Sequence, residues 1–331
     1  MTDHARAVLF HEIGGPEVLK IEEVRLDPPA PDEVRVRVEA IGLNRAEALF
    51  RAGTYYYPPT LPGSRLGFEA AGTVEAVGRD VQEFTSGDAV SVISGEEMSR
   101  HGVYGDRITI SVRSLLPRPP GVDAVTGAAV WTTQLTAYGA LMEVGRMNPG
   151  DAVVITAASS AVGLAAIQLA NHLGAVPIAV TRTAAKAERL RRAGAAHVLA
   201  ADEGDVPGRV RALTGAGGAR LVFDSIGGPG LSELATAVRA DGLLIVYGWL
   251  DPRPAPLPMN WPLTIHGFNL DLITSDPERM ARAKPFIEAG LRAGTLTPAI
   301  DRIFELEEIS EAHRHLESNS QLGKVVVTVR H

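Results

Sequence analysis

The residues best placed to do chemistry lie in one short run, Ala157-Ala158-Ser159-Ser160-Ala161-Val162-Gly163, between an apolar strand and a helix. A strand that ends at Thr156 and turns sharply into a helix aims main-chain N–H groups at the positive end of that helix. An anion such as a pyrophosphate is held there, provided the side chains are small enough to let it approach. Glycine usually fills the three spaced positions of such a turn; here they are Ala157, Ser160 and Gly163. Small-residue turns precede many helices, so the reading rests on the complete strand–turn–helix–strand unit around this one. The expected cradle is Ala158, Ser159, Ser160, Ala161, Val162 and Gly163.

The next strand ends at Val180-Thr181-Arg182-Thr183. A site for NAD places a carboxylate near this point to hold a ribose 2′-hydroxyl, and none occurs between Ala175 and Ala187. Arg182 and Lys186 stand about one helical turn apart instead, where two cations can clasp a 2′-phosphate. Two solvated surface charges would be the ordinary explanation. Cations are disfavoured at a helix start, however, and an anion bound there accounts for them. The expected cofactor is therefore NADPH, with Thr181, Arg182 and Lys186 at its adenosine end.

These residues need a doubly wound α/β frame. From Asp151 apolar strands alternate with amphipathic helices: strand 152–156, helix 161–173, strand 176–181, helix 184–193, strand 197–200, helix 206–213, strand 220–224, helix 230–238 and strand 243–247. Continuous apolar strands between helices mark a parallel sheet covered on both faces. Residues 5–120 have a different texture, with short strands punctuated by glycine, proline and aspartate. Glu33-Val34-Arg35-Val36-Arg37-Val38-Glu39 alternates strictly, as a half-buried antiparallel strand does. Later, 252–258 reads as a proline-rich loop, 265–272 as an edge strand, 277–293 as a helix, and the valine-rich 323–329 as a strand.

The bulk composition excludes several classes. The 331 residues carry a net charge of −7 with no basic run long enough to track nucleic acid. There is no cysteine, hence no disulfide, thiolate nucleophile or cysteine-bound zinc. Nothing in Met1–Arg6 resembles a signal peptide, and no apolar run is long enough to span a bilayer. A cytoplasmic location is expected. Of the nine histidines, the closest pair, His313 and His315, sits two apart on a helix and points apart, so no metal site is expected.

Further motifs carry a resemblance across the whole chain: Gly14-Gly15-Pro16-Glu17-Val18-Leu19, Gly42-Leu43-Asn44, Gly67-Phe68-Glu69-Ala70-Ala71-Gly72, Gly87-Asp88-Ala89-Val90, Leu135-Thr136-Ala137-Tyr138 and Gly323-Lys324-Val325-Val326. The sequence resembles the medium-chain dehydrogenase/reductase superfamily, specifically its zinc-free quinone oxidoreductase branch. That implies a mainly β, GroES-like catalytic domain at 1–124, a Rossmann domain at 125–270 and a return to the catalytic domain at 271–331. Zinc-dependent relatives have cysteine where Asn44 stands and histidine where Phe68 stands, and their four-cysteine structural zinc lobe has no counterpart in Ser94–Gly105.

The resemblance implies NADPH between two domains and a small-molecule substrate, a quinone or an α,β-unsaturated carbonyl compound, with a biosynthetic enoyl reductase as one version. It places Asn44 beside the nicotinamide, against an ordinary role capping the helix from Arg45. Thr136, Tyr247, Gly248 and Lys324 are the other expected cofactor residues. Tyr57, Tyr104 and Trp131 are the expected substrate wall, with Tyr57 and Tyr104 as candidate proton donors. Glu69 reads as structural. A homodimer pairing through the strand near 265–270 is implied as well. Two alternatives stay open: a metal-free carbonyl reductase, and a nucleotide-binding protein with little turnover.

Overall fold

The computed structural model describes residues 3–93, 95–215 and 217–331. Ser94, the first residue of the segment in which no zinc lobe was expected, lies outside the described residues, as do Met1, Thr2 and Ala216. The chain forms two compact units, one running to Thr132 and resuming at Pro298–His331, the other Thr133–Thr297.

The first unit opens with β1 (Asp3–Leu9), β2 (Lys20–Leu26), β3 (Glu33–Gly42), helix α1 (Arg45–Arg51), β4 (Glu69–Val77) and β5 (Ala89–Ile93). Helix α2 (Met98–His101), β6 (Arg107–Ser111) and β7 (Leu115–Pro117) follow, and helix α3 (Ala124–Tyr138) begins in this unit and ends in the second. The alternating run 33–39 falls in β3, which pairs with β4 and β6 and sends Val34, Val36 and Val38 into the core.

The second unit holds β8 (Ala152–Ile155), α4 (Ala161–Leu173), β9 (Val176–Thr181), α5 (Ala187–Arg192), β10 (His197–Ala200), α6 (Val206–Leu213) and β11 (Ala219–Asp224). It continues with α7 (Leu231–Ala235), β12 (Val238–Val246), β13 (Thr264–Gly267), α8 (Asp271–Thr274) and α9 (Pro277–Arg292). Its sheet order is β10-β9-β8-β11-β12-β13, all parallel. That is the doubly wound order, and ligands bind it outside the carboxyl ends of the strands where the order reverses, between β8 and β11. The chain then returns to the first unit as β14 (Ile300–Glu305), α10 (Ile309–Glu317) and β15 (Lys324–Thr328), with β15 antiparallel to β3.

Three expectations change. The return to the first unit comes at Pro298 rather than 271. Residues 268–292 stay with the second unit because Phe268 and Ile273 crowd Gly139, Phe286 packs on Tyr138, and Arg282 pairs with Glu143 at 2.9 Å. The edge strand stops at Gly267, and 271–274 is helical. Helix α3, continued by a π-helical turn over Gly139–Val144, has no counterpart in the sequence reading. Its apolar residues are spread around the helix among small polar ones, so no periodic stripe announces it.

Candidate active site

In the second unit β8 ends at Ile155, and the turn into α4 is built from the small residues singled out above. Ala157 adopts φ 42°, a left-handed conformation that costs a residue bearing a Cβ about 1–2 kcal/mol. Strain of this kind collects at ligand-binding turns. Ser160 caps α4, its Oγ accepting from Gly163 N at 3.0 Å, and Ser160 N donates to Ala157 O at 2.8 Å. Gly163 is required by closeness, since a Cβ there would lie 2.7 Å from both Cα and O of Ala158.

At the end of β9, Thr181 is buried and Arg182 exposed. Lys186 reaches back to the turn and donates to Ser159 Oγ at 3.2 Å. Its ammonium is thus on the same side as the main-chain cradle.

Across the switch point β11 ends in a buried carboxylate. Asp224 accepts from Thr156 Oγ1 and Gly227 N, each at 2.7 Å, which ties the turn after β11 to the end of β8. Burial raises its pKa against the pull of those donors. Beside it, Tyr247 stacks on Phe223 with ring centroids 4.0 Å apart, and burial pushes its phenol up to about 12. Ser160 and Ser225 lie near enough to ease that shift, yet Tyr247 Oη and Ser225 Oγ each lack a completed hydrogen bond. Buried orphans cost free energy unless a ligand satisfies them. Together with the Gly163 turn, they make this edge fit a dinucleotide that brings its own polar groups.

The first unit holds a buried polar network around Asn44. A Cβ on Gly42 would run into the main-chain oxygen of Ala128, so the strand can pass this close to α3 only with glycine there. Asn44 occupies the N-cap of α1, and Glu47 closes the capping box by accepting from Asn44 N at 2.7 Å. The Asn44 side chain makes no cap bond of its own; Glu47 N donates to its main-chain oxygen at 3.2 Å. Lys324 Nζ donates at 2.7 Å to Asn44 Oδ1 and at 2.7 Å to Glu69 Oε2. Glu69 Oε1 accepts from Thr132 N at 2.9 Å.

Glu47 also accepts from Phe68 N at 3.0 Å and from the Tyr104 hydroxyl at 2.6 Å, and burial lifts its pKa above the usual carboxylate range. Behind Tyr104 stand His313 (3.3 Å), then Arg51, whose Nη1 is 2.8 Å from His313 Nδ1, then Glu317 at 2.9 Å from Arg51 Nη2. Arginine only donates, so His313 Nδ1 accepts and Nε2 carries the proton toward Tyr104. Burial and the Arg51 and Arg45 charges hold His313 down to about 3.

Several expected site residues are corrected by this geometry. Tyr104 is fully enclosed and donates to Glu47, and its pKa is raised well above the ordinary value by burial and that carboxylate; it is neither an accessible acid nor a wall. Trp131 is fully buried on α3, with its indole Nε1 lacking a hydrogen-bond partner. Lys324 is 1% exposed and Glu69 0%, so the lysine is a buried partner of Asn44 and Glu69 rather than a surface side chain. Of the other expected residues, Tyr57 is half-buried against Phe50 with centroids 5.4 Å apart. Thr136 is buried on α3, and Tyr247 and Gly248 follow β12 at the sheet's carboxyl edge. His313 and His315 do point to different partners, His315 to Asp301 at 2.7 Å. Sequence reasoning missed Glu47, Asp224 and Ser225. An acid three residues after an N-cap candidate was a signal for the first; only the tertiary fold brings Asp224 and Ser225 to the switch point.

Comparison with known proteins agrees with this architecture. The family described as alcohol dehydrogenase GroES-like domain matches residues 30–120, and that described as zinc-binding dehydrogenase matches 161–281. The chain is similar to a 2-haloacrylate reductase from Burkholderia sp, at 30% identity over 97% of this chain and 98% of that one. It is equally similar to a quinone oxidoreductase from Pseudomonas aeruginosa, at 30% identity over 98% and 99%. Among solved structures, the quinone oxidoreductase of Escherichia coli complexed with NADPH superimposes with a TM-score of 0.90 at 28% identity, covering 98% of this chain and 100% of that one.

Proposed function

We propose a function on one premise: the chain belongs to the medium-chain dehydrogenase/reductase superfamily, in its quinone oxidoreductase branch. It is an oxidoreductase that uses NADPH to reduce a quinone or an α,β-unsaturated carbonyl compound, without zinc. The observation that carries the reading is the turn after β8, with its left-handed Ala157, its close-packed Gly163 and Lys186 drawn onto Ser159 beside Arg182. The reductase relatives act in the same direction: 2-haloacrylate is an unsaturated carboxylate, and the Escherichia coli enzyme was solved with NADPH.

When bound, the nicotinamide supplies hydride. The main chain of 158–163 and the start of α4 hold the pyrophosphate. Lys186 and Arg182 take the 2′-phosphate, while Ser225 and Tyr247 satisfy their orphaned hydroxyls on the sugar end. Asn44 is carried as a further cofactor contact. Zinc independence is supported by the donor set: Asn44 and Phe68 are poor substitutes for a thiolate and an imidazole, and among the described residues no three of His, Asp or Glu gather. An acceptor conjugated to its carbonyl needs no Lewis acid to receive hydride.

A cytoplasmic location is supported by the cysteine-free composition, and no helix among the described residues is long and apolar enough to cross a membrane. A homodimer is supported by β13, which pairs on one side only among the described residues. Leu257, Met259 and Trp261 stand near it in the chain at 68%, 71% and 68% exposure.

The test is NADPH consumption against quinones, enones, saturated ketones and aldehydes, with NADH in parallel and chelator added. Turnover should be confined to quinones or enones and indifferent to chelator. Replacing Arg182 and Lys186 together by alanine should weaken NADPH by about 2–4 kcal/mol and leave NADH almost unchanged. Turnover of saturated ketones, or equal losses for both cofactors, would reject the assignment.

A further inference from the structure

Asn44 is held by partners of fixed polarity. The ammonium of Lys324 can only donate, so the amide atom 2.7 Å away is oxygen. The other end faces acceptors alone: Nδ2 donates to Gly42 O and to Glu47 Oε1, each at 3.2 Å. An amide nitrogen has two protons, and both are spent. A flipped amide would set its oxygen against a carbonyl and a carboxylate, and its N–H groups against an ammonium.

From this we infer that Asn44 meets its ligand only as an acceptor. It recognises a hydroxyl or amide N–H donor on the cofactor and is not the group that stabilises a developing substrate oxyanion. Lys324 and Glu47 are positioning residues that enforce this polarity, and Glu69 holds Lys324 in place at 2.7 Å. The inference rests on the proposed reading that Asn44 contacts the cofactor.

The experiment measures the NADPH dissociation constant by fluorescence, beside steady-state kinetics with a reducible quinone, for Asn44→Ala. Asn44→Ser, which keeps a good N-cap residue, serves if the alanine variant is unstable. Loss of one accepted hydrogen bond should raise the dissociation constant about 3–10-fold, with kcat at saturating NADPH shifting by less than that. A fall in kcat of about 10²–10³-fold with unchanged NADPH affinity is the signature of a lost oxyanion donor and would overturn the inference while keeping Asn44 in the site. No change in either quantity, with the fold intact, would remove Asn44 from the site and overturn the underlying reading too. The double variant K324M/E69Q, which removes the buried pair together, should weaken NADPH similarly, and adding Asn44→Ala to it should cost nothing more. Full additivity would show that Lys324 does not act through Asn44.

Discussion

At the scale of single residues, charge and size were readable where they stood out locally and opaque where their role depended on distant partners. Arg182 and Lys186 stood out because cations are disfavoured at a helix start, and the small residues of 157–163 because they sit between a strand and a helix. Tyr104 misled because a hydroxyl in sequence says nothing about who receives its proton; here the receiver is Glu47, 57 positions away. The same row of groups makes a pH prediction. His313 titrates near 3 when folded but near 6.5 when unfolded. A depressed folded pKa means its contribution is intact above pH 6.5 and erodes as pH falls from there toward 3. The slope approaches about 1.4 kcal/mol per pH unit. Glutamine can still donate to Tyr104 and accept from Arg51. Urea unfolding of His313→Gln between pH 6.5 and 5 should therefore show a flatter loss than the parent, by about 2 kcal/mol across the interval. Parallel curves would mean the imidazole is not held neutral.

Secondary elements were legible in proportion to their contrast with their neighbours. Helix α4 and strand β9 match their expected limits, the helix bounded by Ser160 and Gly174 and the strand a continuous apolar run between turns. Helix α3 does not contrast with anything: its apolar and small polar residues are mixed without a stripe, and it follows a loop. Helix α7 is shorter than expected because Val238 is already drawn into β12. The β8–α4 turn makes the element-scale prediction. Gly163→Ala must push α4 off the turn, costing about 1–3 kcal/mol, and should weaken NADPH as well. Ala157→Gly relieves about 1–2 kcal/mol of left-handed strain against about 0.4–1 kcal/mol of added unfolded-state freedom. It should be neutral or slightly stabilising. Chemical denaturation of both variants checks the pair, and a destabilised Ala157→Gly would contradict the left-handed turn.

For the whole molecule, the two-part architecture followed from texture, but its boundary did not, because the packing of Phe268, Ile273 and Phe286 on the second unit leaves no local mark. The exposed edge of β13 predicts association. Ile265→Lys, a charge of the kind that keeps edge strands apart, should shift the protein from dimer to monomer in sedimentation velocity; a monomeric parent would remove the proposal. The order of the chain has a further consequence during synthesis. The second unit is contiguous, so all its strands are translated before β14, α10 and β15. The first unit must wait with β3 lacking its neighbour β15, and with Asn44 and Glu69 lacking the lysine that joins them. The nucleotide-binding unit can thus be complete on a nascent chain in which Asn44 still lacks its ammonium partner. The last of the contacts that fix the polarity of the amide arrives only with one of the last strands to be translated.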